Sequence, residues 1–264
     1  MSKIEKLYRG TLAAWGMLID FPLPEYFRLQ LKHGADALST ACGFPLVGLA
    51  VGVLLVIVAG FCCVVFNPVG GSIVFALLAA AFLEFKDSGR GASLLGSFFL
   101  LRLRGVPTVE ALPRLNSDIA ALNNVAAGLF LGLLEALKIC FLFLLCFFHA
   151  KLWIVAVLVG AFFVQAFLAL QPAAGGAPPL LPVAPESRMR LWRILVVLYV
   201  VMMLAFPVGM IGAGAAVYFC ATGFAKYFER CSDGITSDLI TLAGAVTELL
   251  LLLVGILLAL HLPA

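Results

Sequence analysis

The sequence predicts an all-α protein: a polytopic integral membrane bundle of about seven transmembrane helices, folded as a single membrane domain over residues 1–264. Three observations carry that prediction. The first is composition. Of the 264 residues, 64% are hydrophobic and only 12% are Asp, Glu, Lys or Arg, where a soluble domain carries about 25%. The mean hydropathy is +1.14, so water cannot be the solvent for most of the surface. The second is run length. The apolar stretches are long and unbroken, as spanning helices require, and lack the short alternation of a β-barrel. The third is charge placement. The formal net charge of +3 is modest, and the basic residues gather between the apolar runs. That is a topology signal rather than a nucleic-acid footprint.

Residues 4–19 place Leu7, Leu12, Trp15, Leu18 and Ile19 near helical spacing, which fits an interfacial helix or a short span ending at Asp20. Pro22 and Pro24 break that helix, and a more polar stretch with Arg28, Lys32 and His33 follows, so 4–40 reads as an N-terminal interfacial segment. The charges among the first ten residues do not resemble a cleavable signal peptide. The first span covers about 43–66, and the uncharged turn Asn67-Pro68-Val69-Gly70-Gly71 returns the chain through a second over about 69–85. A charged cytoplasmic loop over 84–120 follows, with a semi-polar segment at 92–101 and a Pro-bounded helix near 108–120. Spans three and four cover about 121–148 and 152–170, with His149 and Lys151 between them. A Pro/Gly-rich cytoplasmic loop at 171–190 leads to a long apolar run over 191–225. At 1.5 Å per residue that run would be ~50 Å long, too long for ~30 Å of hydrocarbon, so it divides into two helices hinged at Pro207. The polar loop 226–238 precedes the last span at about 239–262. With the N-terminus inside, the loops near 67–71, 149–151 and 207 lie outside and nearly uncharged, while most Arg and Lys lie inside.

The stretch from Glu84 to Asp118 is densely charged, with Lys86, Asp87, Arg90, Arg102, Arg104, Glu110 and Arg114 between its ends. Carboxylates at the end of a span, beside basic residues, suit a metal and a phosphorylated substrate, although a charged loop also needs no function at all. Glu84 and Asp87 share a helical face if the helix continues. Asp238 opens the last span, where it suits an N-cap as well as a site. Glu248 lies well inside an apolar span, where a carboxylate is expensive and a buried or cavity-facing hydrogen bond is expected. Glu135 and Lys138 are spaced to pair with each other inside span three. The three histidines form no cluster, and the seven cysteines form no CxxC pair and read as small buried hydrophobes.

Several stretches resemble one family. Leu18 to Pro24 (LIDFPLP), Phe44 to Gly52 (FPLVGLAVG) and Gly234 to Glu248 (GITSDLITLAGAVTE) are similar to motifs of the cobalamin 5'-phosphate synthases, or adenosylcobinamide-GDP ribazoletransferases. Gly234, Thr236, Asp238 and Glu248 match the last of these motifs, while Ser237, Thr241 and Ala245 depart from it. Phe85 to Gly91 (FKDSGRG) aligns with the family's metal signature, placing Asp87 on its central aspartate and Ser88 on its threonine; Leu83 and Arg90 stand where two further aspartates would be. Arg114 to Asn123 resembles a second signature, with Asn116 in place of an aspartate and Asp118 in place of an arginine. Gln165 is nearest to the position of a fourth-span arginine.

The resemblance implies a Mg²⁺-dependent transferase of the inner (cytoplasmic) membrane, multi-pass, with its site facing the cytoplasm. It would join alpha-ribazole or its 5'-phosphate to adenosylcobinamide-GDP with release of GMP, a last stage of cobalamin biosynthesis. On this reading Asp87 and Glu84 hold Mg²⁺, Asp87, Asp238 and Asp118 are catalytic, and Arg90, Arg114, Ser88 and Thr236 bind substrate. The implied partners are the corrinoid-nucleotide and ribazole substrates, the lipid bilayer, and further copies of the chain or other membrane proteins of the pathway, with no nucleic acid. Two other readings stand beside it. One is a catalytically degenerate relative that acts as a binding or scaffold protein. The other is a small transporter with Glu135, Lys138 and Glu248 along its path, although no internal repeat is visible.

Overall fold

The computed structural model describes residues 3–19, 35–86, 88–117, 125–173, 178–182, 188–203, 207–232 and 234–261. These form α1 (Lys3–Leu18), α2 (Ala37–Phe85), α3 (Arg90–Leu103), the one-turn α4 (Thr108–Ala111) with a 3-10 turn at Pro113–Ser117, α5 (Val125–Phe147), α6 (Trp153–Ala169), α7 (Arg188–Met203), α8 (Pro207–Cys231) and α9 (Ser237–His261). Among the described residues there is no strand, only an isolated bridge between Ala173 and Ile235, so the fold is all-α. Three helices, α2, α5 and α9, are long and apolar enough to cross a membrane.

The 49 residues of α2 are two limbs folded back on each other at Asn67, whose φ of 65° lies in the left-handed region that Asn tolerates. Asn67 also caps the second limb: its Oδ1 accepts from the Gly70 N–H at 2.9 Å, and Pro68 fills the first helical position. Gly71 makes the reversal tight, since a Cβ there would lie 2.4 Å from the Cys62 carbonyl oxygen. At the other end of α2, Asp36 is the N-cap and accepts from the Ser39 N–H at 2.6 Å. The Ser39 side chain and then its backbone N–H hold the Asp36 carboxyl below the usual aspartate range.

The core is organised on α6. It is apolar on every side, and 16 of its 17 residues are buried, as a helix at the centre of a bundle must be. Glycines let its neighbours approach backbone to backbone. A Cβ at Gly48 would lie 2.6 Å from the Leu158 carbonyl oxygen, and one at Gly52 would lie 2.7 Å from the Val155 Cα. From the other side α9 presents Gly244 to Gln165 and Gly255 to Trp153. Trp153 Nε1 donates to the Leu251 carbonyl at 2.8 Å, and Tyr199 Oη donates to the Ala156 carbonyl at 3.0 Å. Both bonds carry a polar tip through an apolar interior. Phe163, Trp192 and Tyr218 pack ring against ring in tilted contacts and tie α6 to α7 and α8. Large apolar residues face outward elsewhere, among them Ile57, Phe61, Leu77, Leu133, Val197, Val201, Phe219 and Leu257.

One expectation changes and another holds. The stretch after Glu84 is no loop: Arg90–Leu103 is helical. Leu94, Phe98 and Leu101 recur at i, i+4 and i+7 and turn inward, and Gly96 seats against Leu131 of α5. The run over 191–225 does divide near Pro207, into α7 and α8, which pack on each other.

Gly48 and Gly128 separate close approach from mere helix propensity. Gly48→Ala is expected to destabilise the protein by about 1–3 kcal/mol through overpacking against Leu158. Gly128→Ala has open space at its Cβ and is expected to be neutral or stabilising by up to about 1 kcal/mol. Thermal unfolding of both variants in detergent checks this.

Candidate functional site

The candidate site lies at the end of the bundle where α2 stops, α3 and α9 start and α6 finishes. Glu84 and Lys86 close α2. The chain then turns through Ser88 and Gly89, both at positive φ, and enters α3 at Arg90. Gly89 N–H donates to the Glu84 carbonyl at 2.7 Å, which ties the turn to the helix end. α9 begins beside it. Thr236, rather than Asp238, caps this helix: the Thr236 hydroxyl accepts from the Leu239 N–H at 3.3 Å. Asp238 sits in the first turn, where the helix dipole favours a negative charge.

The geometry brings cations to carboxylates. Lys86 Nζ donates to Glu248 Oε2 at 2.5 Å; the two residues are only 6% and 3% exposed. The same ammonium lies 5.4 Å from the centre of the Phe162 ring of α6, a further stabilisation of a buried cation. Lys138 of α5 bonds Glu84 and, at 3.0 Å, Glu135. Arg90 bonds Asp238 and reaches Ser237 Oγ at 3.3 Å. The Glu135–Lys138 pair and the cavity-facing Glu248 agree with the spacing and depth of those residues in the sequence. Lys86 was not singled out there; its only signal is that Glu248 needs a cation and Lys86 ends a span at the same side.

Two cavities border these residues. The inner one, of about 30 Å³, is lined by Glu84, Lys86, Glu135, Lys138, Gln165 and Glu248 with apolar neighbours. The outer one, of about 100 Å³, lies among Leu18, Phe44, Lys86, Arg90, Gln165, Ser237 and Thr241. Lys86 and Gln165 line both and stand between them. A wider groove of about 710 Å³ runs along the ends of α6 and α8, with Lys226 and Glu229 as its charges.

Of the residues expected at a site, Glu84, Arg90 and Asp238 gather here. Ser88 is in the adjoining turn, and Thr236 spends its hydroxyl on the cap. Arg114 pairs with Glu110 at 3.2 Å on the exposed surface and lines neither of the two cavities. Asp87 and Asp118 lie outside the described residues. Among the described residues no group of three or more His, Cys, Asp or Glu is placed to hold a metal ion. The donor chemistry explains this: Glu84, Asp238 and Glu248 each already face an ammonium or guanidinium, and a divalent cation would have to displace it. The described residues therefore do not fit a Mg²⁺ centre. Comparison with models of known protein families, with curated proteins and with solved structures found no match.

Burial separates the pairs energetically. Lys138→Met leaves Glu84 and Glu135 facing an apolar side chain. It is expected to destabilise by about 3–5 kcal/mol, as loss of one partner of a buried pair does. The Arg90 side chain is 52% exposed, so Arg90→Ala is expected to change stability by no more than about 1 kcal/mol. Equal effects in a thermal unfolding comparison would contradict that ranking.

Proposed function

We propose that the protein is a seven-span membrane protein of the ribazoletransferase architecture that binds a phosphorylated, corrinoid-type ligand without transferring it. Its ligand end faces the cytoplasm of the inner membrane. Three apolar helices of spanning length support the membrane reading, together with outward-facing Phe, Leu, Val and Ile side chains along α2, α5, α7, α8 and α9. The turn at Asn67 and the connection at 148–152 share the opposite end, where charge is sparse. That placement supports the positive-inside orientation.

The observation that carries the binding reading is Arg90. It stands where the resemblance has an aspartate of the metal signature, and it bonds Asp238, the aspartate that does match. A fork-shaped cation half exposed at the mouth of the outer cavity, with the Ser237 hydroxyl beside it, is suited to a phosphate oxygen. On this reading Arg90 supplies the positive charge that a metal would, since Lys86 and Lys138 are already bonded to Glu248 and to Glu84 and Glu135. The second reading is transfer itself, favoured by the match of Asp87 to the central aspartate. In that reaction a sugar hydroxyl of alpha-ribazole or of its 5'-phosphate bonds the phosphorus on the cobinamide side, the bridging P–O bond to the guanylyl phosphate breaks so that GMP leaves, and a carboxylate takes the hydroxyl proton. Mg²⁺ held by Asp87 and Glu84 would supply charge neutralisation on the transferred phosphoryl.

Labelled adenosylcobinamide-GDP, alpha-ribazole and Mg²⁺ offered to the purified protein separate the two. The binding reading expects retention of the label without GMP release, weakened by about tenfold in Arg90→Ala. GMP release that Asp87→Ala abolishes would establish transfer instead. Absence of both binding and release would remove the whole reading.

A further inference from the structure

Two of the seven cysteines meet between helices. Cys63 lies on the first limb of α2 and Cys146 near the end of α5, and their sulfurs are 3.7 Å apart. Among the described residues no other two cysteines are in sulfur contact. The two positions are 83 apart in the chain, so no spacing motif announces the pair. The helices that carry them pack along each other, which fixes the encounter. Cys146 is only 1% exposed, while Cys63 is partly covered and gives a reagent its way in.

The place of the pair suits covalent chemistry. Cys63 sits about one turn before the reversal at Asn67, and Cys146 about one turn before His149, whose φ of 60° marks the corner after α5. Both thiols are therefore at the sparsely charged end of the bundle, opposite to the end where Glu84 closes α2. The orientation proposed above turns that end away from the cytoplasm, to the oxidising side of the membrane where disulfides persist. The bond itself requires neither that orientation nor the ligand proposed for the Arg90 end. The gap that remains to the ~2 Å of an S–S bond is small against the travel of a sulfur between rotamers.

We propose that Cys63 and Cys146 are a thiol pair that a small-molecule disulfide oxidises to a covalent clamp between α2 and α5. The Cys63 thiol loses its proton and its sulfur attacks the S–S bond of the reagent, which releases one thiolate and leaves a mixed disulfide. The Cys146 thiol then loses its proton and attacks Cys63 Sγ, which releases the second thiolate. Two protein S–H bonds are exchanged for one S–S bond, and the reagent leaves as two thiols that carry the two protons and two electrons. The product fastens the end of the α2–α5 contact that the Lys138–Glu84 pair leaves free, and closes a loop around the second limb of α2, α3 and α4.

The test offers oxidised glutathione to the full chain in detergent at mildly alkaline pH, with no phosphorylated ligand present, and maps the peptides after free thiols are blocked. A linked peptide pair carrying Cys63 and Cys146 is expected. It should be lost in Cys63→Ser and in Cys146→Ser, kept in Cys62→Ser and Cys140→Ser, and reversed by a thiol reductant. The oxidised wild type is expected to melt about 5 °C or more above the reduced protein, a shift absent from Cys63→Ser treated alike. Thiols that all stay reduced in the folded wild type would overturn the proposal, as would a mixed disulfide at Cys63 with Cys146 still free. So would a link that persists in Cys63→Ser through another cysteine. A Cys63–Cys146 bond that leaves the melting temperature unchanged would overturn the clamp.

Discussion

A carboxylate buried in an apolar bundle stays ionised only with a cation against it, and Glu248 meets that constraint through Lys86. Much of the polar end follows from it. For the ammonium to reach Glu248, α2 must finish within a lysine side chain's reach of the fourth turn of α9, and the chain must then turn sharply at Ser88 and Gly89 to enter α3. The same helix end sets Glu84 toward α5, where Lys138 joins it to Glu135. Three elements distant in sequence are thus fastened at one level by charge rather than by shape, between two small cavities.

Shape holds the rest. The central α6 supplies a smooth apolar cylinder, and its neighbours come close enough only because Gly48, Gly52, Gly244 and Gly255 carry no side chain. In a bilayer, where apolar helices gain little by leaving lipid for one another, such close packing is a principal source of association. The single polar interruption of α6, Gln165, lies against Gly244 and opens toward the charged cavity. Packing and charge therefore meet at one residue.

The sequence made the apolar architecture readable because helix-breaking residues mark its corners: Asn67-Pro68 reverses α2, and Pro207 begins α8. It also marked Glu248 as a misfit and Glu135 with Lys138 as a pair, since these judgements need only local spacing. Lys86 was invisible as the partner of Glu248 because the two are 162 positions apart. The stretch after Glu84 looked like a loop because Arg102 and Arg104 dominate its composition, while the inward face of Leu94, Phe98 and Leu101 becomes meaningful only once α5 lies beside it. Asp238 had the sequence of a cap, but Thr236 two residues earlier takes that role with its hydroxyl. Gln165 marked a departure from the family resemblance. Its buried Oε1 has no hydrogen-bond partner among the described residues, which only the folded chain reveals.

The central claim is that the chain neutralises its own buried carboxylates, with Lys86–Glu248 as the defining pair. A double-mutant cycle tests it most directly, comparing unfolding of Lys86→Met, Glu248→Met and the double variant in the same detergent. Each single variant should lose about 3–5 kcal/mol, and the double variant should regain most of that loss, because no unpaired charge remains. Losses that simply add would contradict the account and mean that the two groups are not each other's partner.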